Sequence, residues 1–289
     1  MTESRPDTCS DAVLPPAVVA ATVQQHRSGA EMRTADDRIA SEVPVALVFN
    51  GISHAVMMAT PQDLEDFALG FALSEGVVDT PADCRDIAVA TQAPVCGTDG
   101  LPAGTASCEV QVEISSRSFA RLKERRRSLV GRTGCGVCGT ESLDALDLVP
   151  ERVQARDWLA GIDLPVVQKA FASFSARQPL NAEAGAIHAA GWATPEGELL
   201  DVLEDVGRHN ALDKLIGRLA RQRRLGTPGF VVMSSRASYE LVRKCARLDI
   251  PALATISAPT SLAVHIAGQA GIRLWGLCRG PRAVLYAAG

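Results

Sequence analysis

The second half of the chain alternates short apolar segments with longer amphipathic ones, and this alternation constrains the fold more than any other feature of the sequence. Residues 210–221, for example, carry apolar side chains at helical spacing directly after an apolar segment. Strands that alternate with helices of this length predict an α/β domain with a mainly parallel sheet, covered by helices on both faces. The predicted strands are residues 199–203, 230–233, 252–256 and 272–277, and the predicted helices are residues 210–221, 239–248 and 261–270.

The first half is typical of a smaller α+β domain. Two apolar runs over residues 43–58 flank Asn50-Gly51, a dipeptide that favours a tight hairpin turn. Thr60 and Pro61 predict the start of a helix, because Pro is favoured at the first helical position. The other predicted elements are strands over residues 87–90 and 108–114 and a basic helix over residues 119–130, whose charged face we interpret as solvated.

These elements predict four parts in the chain. They are a flexible tail over residues 1–35, a small α+β domain over residues 36–130, a flexible loop with two cysteines over residues 131–142, and an α/β domain over residues 143–289.

Composition argues against several classes of function. The 289 residues include 29 basic and 33 acidic side chains, a net charge of −4, whereas nucleic-acid binding needs a clustered basic surface. The longest stretch without a charged side chain, residues 250–272, contains two prolines and a histidine, so we expect no membrane span. No basic segment leads into an apolar one near the N-terminus. We therefore expect no signal peptide, a cytoplasmic protein and eight reduced cysteines.

Cys135 and Cys138 form the only C-x-x-C motif, inside a glycine-rich segment. Two thiols at this spacing suit half of a zinc site, a dithiol redox pair or a persulfide relay. A zinc site needs two further ligands that the sequence does not reveal, so we expect no catalytic zinc. Arg132 is close enough in sequence to favour a thiolate. We interpret the other six cysteines as buried or inert.

Two other motifs are excluded. The glycines at positions 134, 136 and 139 match a dinucleotide fingerprint, but a run of arginines precedes them where a strand is required. No histidine is followed two positions later by a glutamate, as the zinc deaminases require.

A polar segment lies between a predicted strand and a predicted helix, at the edge of the sheet where α/β folds bind ligands. It holds five side chains that are candidates to line one crevice: Asp205, Arg208, His209, Asn210 and Lys214. A capping and ion-pair cluster at the start of the helix explains the same residues, and the two interpretations are compatible.

Two more loops follow predicted strands and precede helices. Hydroxyl groups and free N–H groups at helix N-termini bind anions, and an arginine can clamp a phosphate, so together the loops favour a phosphorylated ligand. The residues concerned are Ser235, Arg236, Ser238, Ser257 and Thr260. His188, among small apolar residues, is a further candidate, with a core histidine as the alternative.

These motifs, in this order from about Arg38 to Tyr286, resemble the formate dehydrogenase accessory sulfurtransferase family, FdhD. The resemblance implies a cytoplasmic homodimer whose C-terminal domain is a three-layer fold similar to cytidine deaminase. It also implies a sulfurtransferase that accepts a persulfide from a cysteine desulfurase. The sulfur then passes to the molybdenum (or tungsten) bis(molybdopterin guanine dinucleotide) cofactor of formate dehydrogenase, for which GDP is a mimic.

The resemblance also implies roles for individual residues. Cys135 is similar to the persulfide-bearing cysteine and Cys138 to its assisting thiol. The segment similar to the cofactor-binding region is Trp275, Gly276, Leu277, Cys278, Arg279 and Gly280. The sequence departs from the family at residues 184–186, where Ala-Gly-Ala replaces the expected Thr-Gly-Gly.

Two rival functions remain open from the sequence. A cofactor chaperone would shield the cofactor and dock it on formate dehydrogenase without carrying sulfur, so it would not need either cysteine. A zinc-dependent hydrolase on a deaminase-like fold would contain about one metal ion per chain.

Overall fold

The computed structural model describes residues 14–92, 106–127 and 149–289. Within these ranges the chain is a mixed α/β protein with three sheets and seven α-helices. No helix in the described ranges is both long enough and apolar enough to cross a membrane.

The smaller domain is a four-stranded sheet with two helices. The Asn50-Gly51 turn has positive φ at both residues, as a tight hairpin requires, which confirms the predicted hairpin. The sheet has the order β4-β3-β6-β5, with β3 parallel to β6. Its strands are β3 Val43–Phe49, β4 Ile52–Ala59, β5 Cys84–Gln92 and β6 Ser107–Ile114, and its helices are α1 Leu64–Ser74 and α2 Ser116–Arg127.

A separate hairpin precedes this domain and corrects the prediction of a flexible tail over residues 1–35 for its described part, while residues 1–13 of that tail lie outside the described residues. Strands β1 (Val18–Gln25) and β2 (Arg33–Ala40) pair along their whole length. Arg38 on β2 also forms an ion pair with Glu183, at 2.5 Å, which fixes the hairpin to the larger domain. The sequence of β2 does not identify a strand, because four of its eight side chains are charged, although β1 carries three valines.

The larger domain is built on a six-stranded sheet of order β12-β11-β10-β9-β7-β8. Only the β9–β10 and β10–β11 pairs are parallel, so the prediction of a mainly parallel sheet is wrong. The difference arises because β7, which the sequence did not reveal, lies antiparallel between β8 and β9. The strands are β7 His188–Ala193, β8 Leu199–Asp205, β9 Phe230–Met233, β10 Ala252–Thr255, β11 Arg273–Arg279 and β12 Arg282–Ala288.

Four of these strands still point the same way. Because β7 is antiparallel to both β8 and β9, β8 runs in the same direction as β9, β10 and β11. The carboxyl ends of these four strands therefore meet at one edge of the sheet, together with the start of β7. This edge is called the carboxyl edge below.

Helices cover both faces of the large sheet, as predicted. Val231 and Met233 face a core formed with one set of helices, whereas Phe230 and Val232 face a second core around α3. The helices of the first set are α5 Arg208–Arg221, α6 Tyr239–Arg247 and α7 Ser261–Ala270, while α3 is Leu164–Ala172 and the short α4 is Pro179–Ala184.

The two domains share a core, because α1 of the smaller domain crosses α5 of the larger one at backbone contact. A Cβ atom on Gly70 would lie 1.7 Å from the Asp213 carbonyl oxygen, and one on Gly217 would lie 1.8 Å from the Asp66 carbonyl oxygen. Ion pairs flank the crossing, with Arg218 Nε 2.5 Å from Asp66 Oδ2. The core that contains Val231 and Met233, called the first core, accordingly contains residues of both domains.

A second buried ionic cluster joins the domains near the C-terminal end of α1. Lys244 Nζ on α6 lies 2.6 Å from Asp213 Oδ2 and 3.0 Å from Glu75 Oε1. Ser74 Oγ donates a hydrogen bond to Asp213 Oδ1 at 2.6 Å. Burial opposes the charge of Lys244, but the Asp213 and Glu75 carboxylates raise its pKa, so the ammonium group stays charged.

Candidate functional site

The carboxyl edge gathers the candidate residues of the larger domain. His188 begins β7 and is paired in register with Asp205, which ends β8. The polar residues 234–238 follow β9, residues 256–260 follow β10, and Arg279 ends β11. Candidate residues that are separated by up to 91 positions in sequence therefore lie along one edge of a sheet.

Part of the predicted crevice is instead a buried structural cluster. The side chains of Asp205 and Lys214 are fully buried and lie 2.7 Å apart, and Asn210 is also buried. The Asp205 carboxylate accepts hydrogen bonds from Gly207 N at 2.7 Å and from Asn210 Nδ2 at 2.9 Å. The prediction that these three side chains line a crevice is corrected, because groups so enclosed and satisfied cannot contact a ligand. For Asp205, Asn210 and Lys214, the structure therefore agrees with the interpretation as a capping and ion-pair cluster.

Thr60, which the sequence suggested as a helix cap, belongs to this cluster. Its backbone N donates to Asp205 Oδ2 at 3.0 Å, its Oγ1 accepts from Val206 N at 3.1 Å, and its carbonyl accepts from Lys214 Nζ at 3.1 Å. Helix α1 therefore begins later than predicted, at Leu64. No sequence signal could have identified this role, since the partners lie about 150 positions away.

Arg208 and His209 are the residues of the same segment that remain partly accessible. Arg208 Nε is buried and has no hydrogen-bond partner within the described part of the chain. Burial and the Arg208 charge lower the pKa of His188, and burial, Arg208 and Lys244 lower the pKa of His209 to about 4. Both imidazoles are therefore neutral near pH 7, and the charge of one guanidinium group acts on both of them.

The loop after β9 brings the start of α6 next to the start of α5. His209 Nε2 lies 3.4 Å from Ser238 Oγ and 3.7 Å from Glu240 Oε2. Ser238 is the N-cap residue of α6, but its side chain does not cap the helix. Ser235 donates its hydroxyl hydrogen to the Arg236 carbonyl at 3.0 Å, while the Arg236 side chain is exposed.

The loop after β10 is tied to the end of β11. Leu277 N donates to the Ser257 carbonyl at 3.2 Å, and Arg279 Nε donates to the Ile256 carbonyl at 3.0 Å. A Cβ atom on Gly276 would lie 2.9 Å from atoms of both Pro259 and Tyr286, so only glycine fits there. Thr260 Oγ1 caps its own helix by accepting from Ala263 N.

The segment 275–280 has a buried part and an exposed part. The Trp275 side chain is buried, and its Nε1 donates to the Ile162 carbonyl at 3.2 Å. The Cys278 thiol is also buried, and burial raises its pKa to about 12. Arg279 and Gly280 are exposed. Beside them, a cavity of about 300 Å³ opens between α3 and the β11–β12 hairpin, with Phe171, Gln168 and Arg282 in its wall.

Comparison with known proteins decides the family. A model described as the FdhD/NarQ family matches residues 40–289. The chain belongs to the FdhD/NarQ family.

Curated relatives in this family are similar over nearly the whole chain. The sulfur carrier protein FdhD of Burkholderia mallei is 52% identical over 270 residues, which cover 93% of this chain and 95% of the relative. The proteins of the same name from Chromobacterium violaceum and Xanthomonas campestris pv. campestris are 53% and 49% identical. They cover 92% and 94% of this chain, and the matches span 94% and 91% of the relatives.

A solved structure shares the fold. The crystal structure of a putative formate dehydrogenase accessory protein from Desulfotalea psychrophila matches with a TM-score of 0.66 and 22% identity. The match covers 94% of this chain and 97% of that one.

The two cysteines that the FdhD resemblance singled out, Cys135 and Cys138, lie outside the described residues. The four described cysteines have free thiols, and burial raises the pKa of each of them. For Cys245 the pKa reaches about 12 and for Cys84 about 11, so neither supplies a thiolate near pH 7. Among the described residues, no group of three or more His, Cys, Asp or Glu is arranged to hold a metal ion.

Proposed function

We propose that this chain is a sulfurtransferase that relays sulfur through Cys135 to the molybdenum bis(molybdopterin guanine dinucleotide) cofactor, for use by formate dehydrogenase. Its relatives named sulfur carrier protein support a role in sulfur transfer. In the first step the Cys135 thiolate attacks the outer sulfur of a cysteine desulfurase persulfide. The sulfur–sulfur bond breaks, the desulfurase cysteine leaves as a thiolate, and the sulfur remains on Cys135 with no net oxidation.

In the second step the outer sulfur passes to the cargo. The inner sulfur leaves as the Cys135 thiolate, and the two electrons that reduce the transferred sulfur come from the reduced metal of the cargo. Cys138, three positions away, donates its thiol proton to the departing thiolate. The glycines around both cysteines leave steric room for a passing sulfur atom.

The observation that carries the cargo site is the arrangement around Arg208. Its buried Nε–H lacks a partner in the described ranges, and the nearby imidazoles of His188 and His209 are neutral near pH 7, so the positive charge at this point comes from Arg208. Arg236 and Arg279 add two exposed guanidinium groups on the same edge. Phosphate groups of a dinucleotide are the anions that such forked donors and helix N-termini bind well.

The guanine-nucleotide ends of the cargo would lie along residues 235–238, Ser257, Thr260 and 276–280. The cavity beside Gly280 is large enough to admit a planar base. We further propose that the chain works in the cytoplasm as a homodimer, and that its larger domain has the cytidine-deaminase-like architecture. Cysteine desulfurase and formate dehydrogenase would be its transient partners.

The sulfur relay is tested by intact-protein mass spectrometry after incubation with a cysteine desulfurase and cysteine. The wild type should gain one sulfur atom, and Cys135→Ala should gain none. Cys84→Ala is the matched control, because burial keeps its thiol protonated, and it should load as the wild type does. If neither the wild type nor the control gains sulfur, while formate dehydrogenase is still matured by a chain lacking both cysteines, the protein is a cofactor chaperone.

The cargo site is tested separately by calorimetric titration with GDP. Arg208→Gln, Arg236→Gln and Arg279→Gln should each weaken binding about tenfold, as expected for loss of one charge-assisted contact. Arg85→Gln, which changes an exposed arginine on β5 of the smaller domain, should bind GDP as the wild type does. Equal affinity in all four variants would overturn the placement of the cargo at the carboxyl edge.

A further inference from the structure

The end of β4 and the residue after it join the smaller domain to the carboxyl edge. Thr60 makes three hydrogen bonds to the β8–α5 region, through its backbone N, its Oγ1 and its carbonyl oxygen. Two residues earlier, the Met58 carbonyl accepts from Asn210 Nδ2 at 2.8 Å. Four hydrogen bonds therefore join residues 58–60 of one domain to residues 205–214 of the other. Residues 58–60 are called the brace below.

The brace determines the path of the loop between β8 and α5. Val206 N–H is paired with Thr60 Oγ1, and Gly207 N–H is paired with Asp205 Oδ1, at 3.1 and 2.7 Å. There is no space for a side chain on Gly207, where a Cβ atom would lie 2.8 Å from Asn210 Nδ2. Both consecutive N–H groups are therefore paired in the backbone that leads into α5, directly before Arg208 and His209.

Thr60 itself cannot contact a ligand, because it is fully buried. Its contribution to binding has to pass through Asp205, Val206 and Lys214. The hydroxyl group is the replaceable part of the contact, since the other two bonds use backbone atoms. Loss of Oγ1 leaves the Val206 N–H without its partner, at the position two residues before Arg208.

We infer that Thr60 is a positioning residue for cargo binding, which holds Arg208 and His209 in place from the other domain. This inference rests on the proposed binding of an anionic nucleotide at the carboxyl edge. It predicts that the smaller domain is part of the binding machinery through Thr60, although Thr60 itself does not contact the ligand. Residues that orient binding groups from behind change affinity without touching the ligand.

The test compares Thr60→Val, which keeps the shape of the side chain but removes the hydroxyl group, with Thr60→Ser, which keeps the hydroxyl group. GDP is the probe, and its Kd is measured by calorimetry beside the thermal midpoint of each variant. Thr60→Val should raise Kd about tenfold, whereas Thr60→Ser should stay within about twofold of the wild type.

Ser74→Ala is the matched control. Ser74 is also buried and its hydroxyl also bonds across the domain boundary, but its partners are Asp213 within α5 and Lys244 within α6, and neither belongs to the loop between β8 and α5. This variant should lose thermal stability with an unchanged Kd for GDP. If Thr60→Val binds as the wild type does, or if it and Ser74→Ala weaken binding equally, Thr60 is only a structural residue and the inference is overturned.

Two further results keep the outcomes separate. Failure of the wild type to bind GDP would overturn the proposed cargo site and this inference with it, whereas normal wild-type binding confines any failure to Thr60. If Thr60→Val does not fold, Asn210→Ala removes the bonds from its Nδ2 to the Met58 carbonyl and to Asp205 Oδ1 and should raise Kd in the same direction. Unchanged affinity in that variant would contradict a positioning role for the brace.

Discussion

His209 lies close to two cations, Arg208 and Lys244, and this makes its response to pH predictable. Burial and these charges lower its pKa from 6.5 to about 4, so the folded protein keeps this imidazole neutral where the unfolded chain protonates it. Between about pH 4 and pH 6.5 the unfolded state therefore binds more protons, and the free energy of unfolding falls as the pH falls. When the pH falls from 7.5 to 5, this group should lower the free energy of unfolding of the wild type by about 1–2 kcal/mol.

Urea unfolding at both pH values measures this contribution. His209→Gln should lose less stability than the wild type on acidification, because the titrating group is gone. His26→Gln, on the exposed β1–β2 turn, is the control and should follow the wild type. Identical losses in His209→Gln and the wild type would show that this imidazole is not held neutral by its surroundings.

The buried pair of Asp205 and Lys214 supports a second prediction. Lys214→Met keeps much of the side-chain volume but leaves the Asp205 carboxylate buried without its countercharge, which typically costs about 3–5 kcal/mol. Lys169→Met removes an exposed pair with Glu198 and should cost less than about 1 kcal/mol. The measurement is the free energy of unfolding in urea. Similar losses of unfolding free energy in the two variants would mean that the Asp205 carboxylate is stabilised without the Lys214 charge.

The sequence singles out the segment around Asp205 as a candidate site but does not show which of its side chains are buried. Charged residues between a strand and a helix suggested a crevice, and Arg208 and His209 are indeed partly accessible. Asp205 and Lys214 are buried because Thr60 from the other domain supplies their remaining partners. A contact across 154 positions cannot be inferred from local spacing. The sequence alone therefore does not distinguish the buried side chains of this segment from the accessible ones.

At the scale of elements, the α1–α5 crossing depends on two glycines. Gly217→Ala would place a methyl group within the contact distance of the Asp66 backbone, so the helices must separate, and we expect a loss of about 3 kcal/mol or more. Gly268→Ala on α7 is the matched control, because nothing lies within 4 Å of its added Cβ atom. That variant should gain up to about 1 kcal/mol from helix propensity. Thermal and urea unfolding measure the stability of both variants. Equal stability of Gly217→Ala and Gly268→Ala would contradict the close crossing of α1 and α5.

Elements with strong periodicity were predicted well, and those without it were missed. Strand β9 and helix α7 have the predicted bounds, since their apolar side chains repeat clearly and turn residues flank them. Strand β7 was missed because its small residues, including Gly191, do not resemble a strand in isolation. A Cβ atom at Gly191 would lie 2.9 Å from both Leu199 and Val232, so close packing with neighbouring strands selects glycine there.

At the scale of the whole molecule, the sequence predicts a division into two domains but carries no information about how closely they are joined. The division near residue 130 followed from a change in pattern, and local pattern carries no information about contacts between distant elements. The structure unites the domains through the Gly70–Gly217 crossing and the buried Lys244–Asp213 pair. The buried charges of Asp213 on α5 and Lys244 on α6 thus contact Ser74 and Glu75, at the end of α1 in the smaller domain.

This joining predicts that the domains unfold together. If α1 separated from α5, the first core would open in both domains, and Asp213 and Lys244 would lose the Ser74 and Glu75 contacts. Opening one domain alone therefore costs nearly as much as global unfolding. Native-state hydrogen exchange with mass spectrometry should give the same opening free energy for β3 and β6 as for β9 and β10. Gly217→Ala should lower both values by the same amount. Lower protection of β3 and β6 alone would mean that the smaller domain opens independently, and that the contact between Thr60 and the carboxyl edge is broken and remade within the native state.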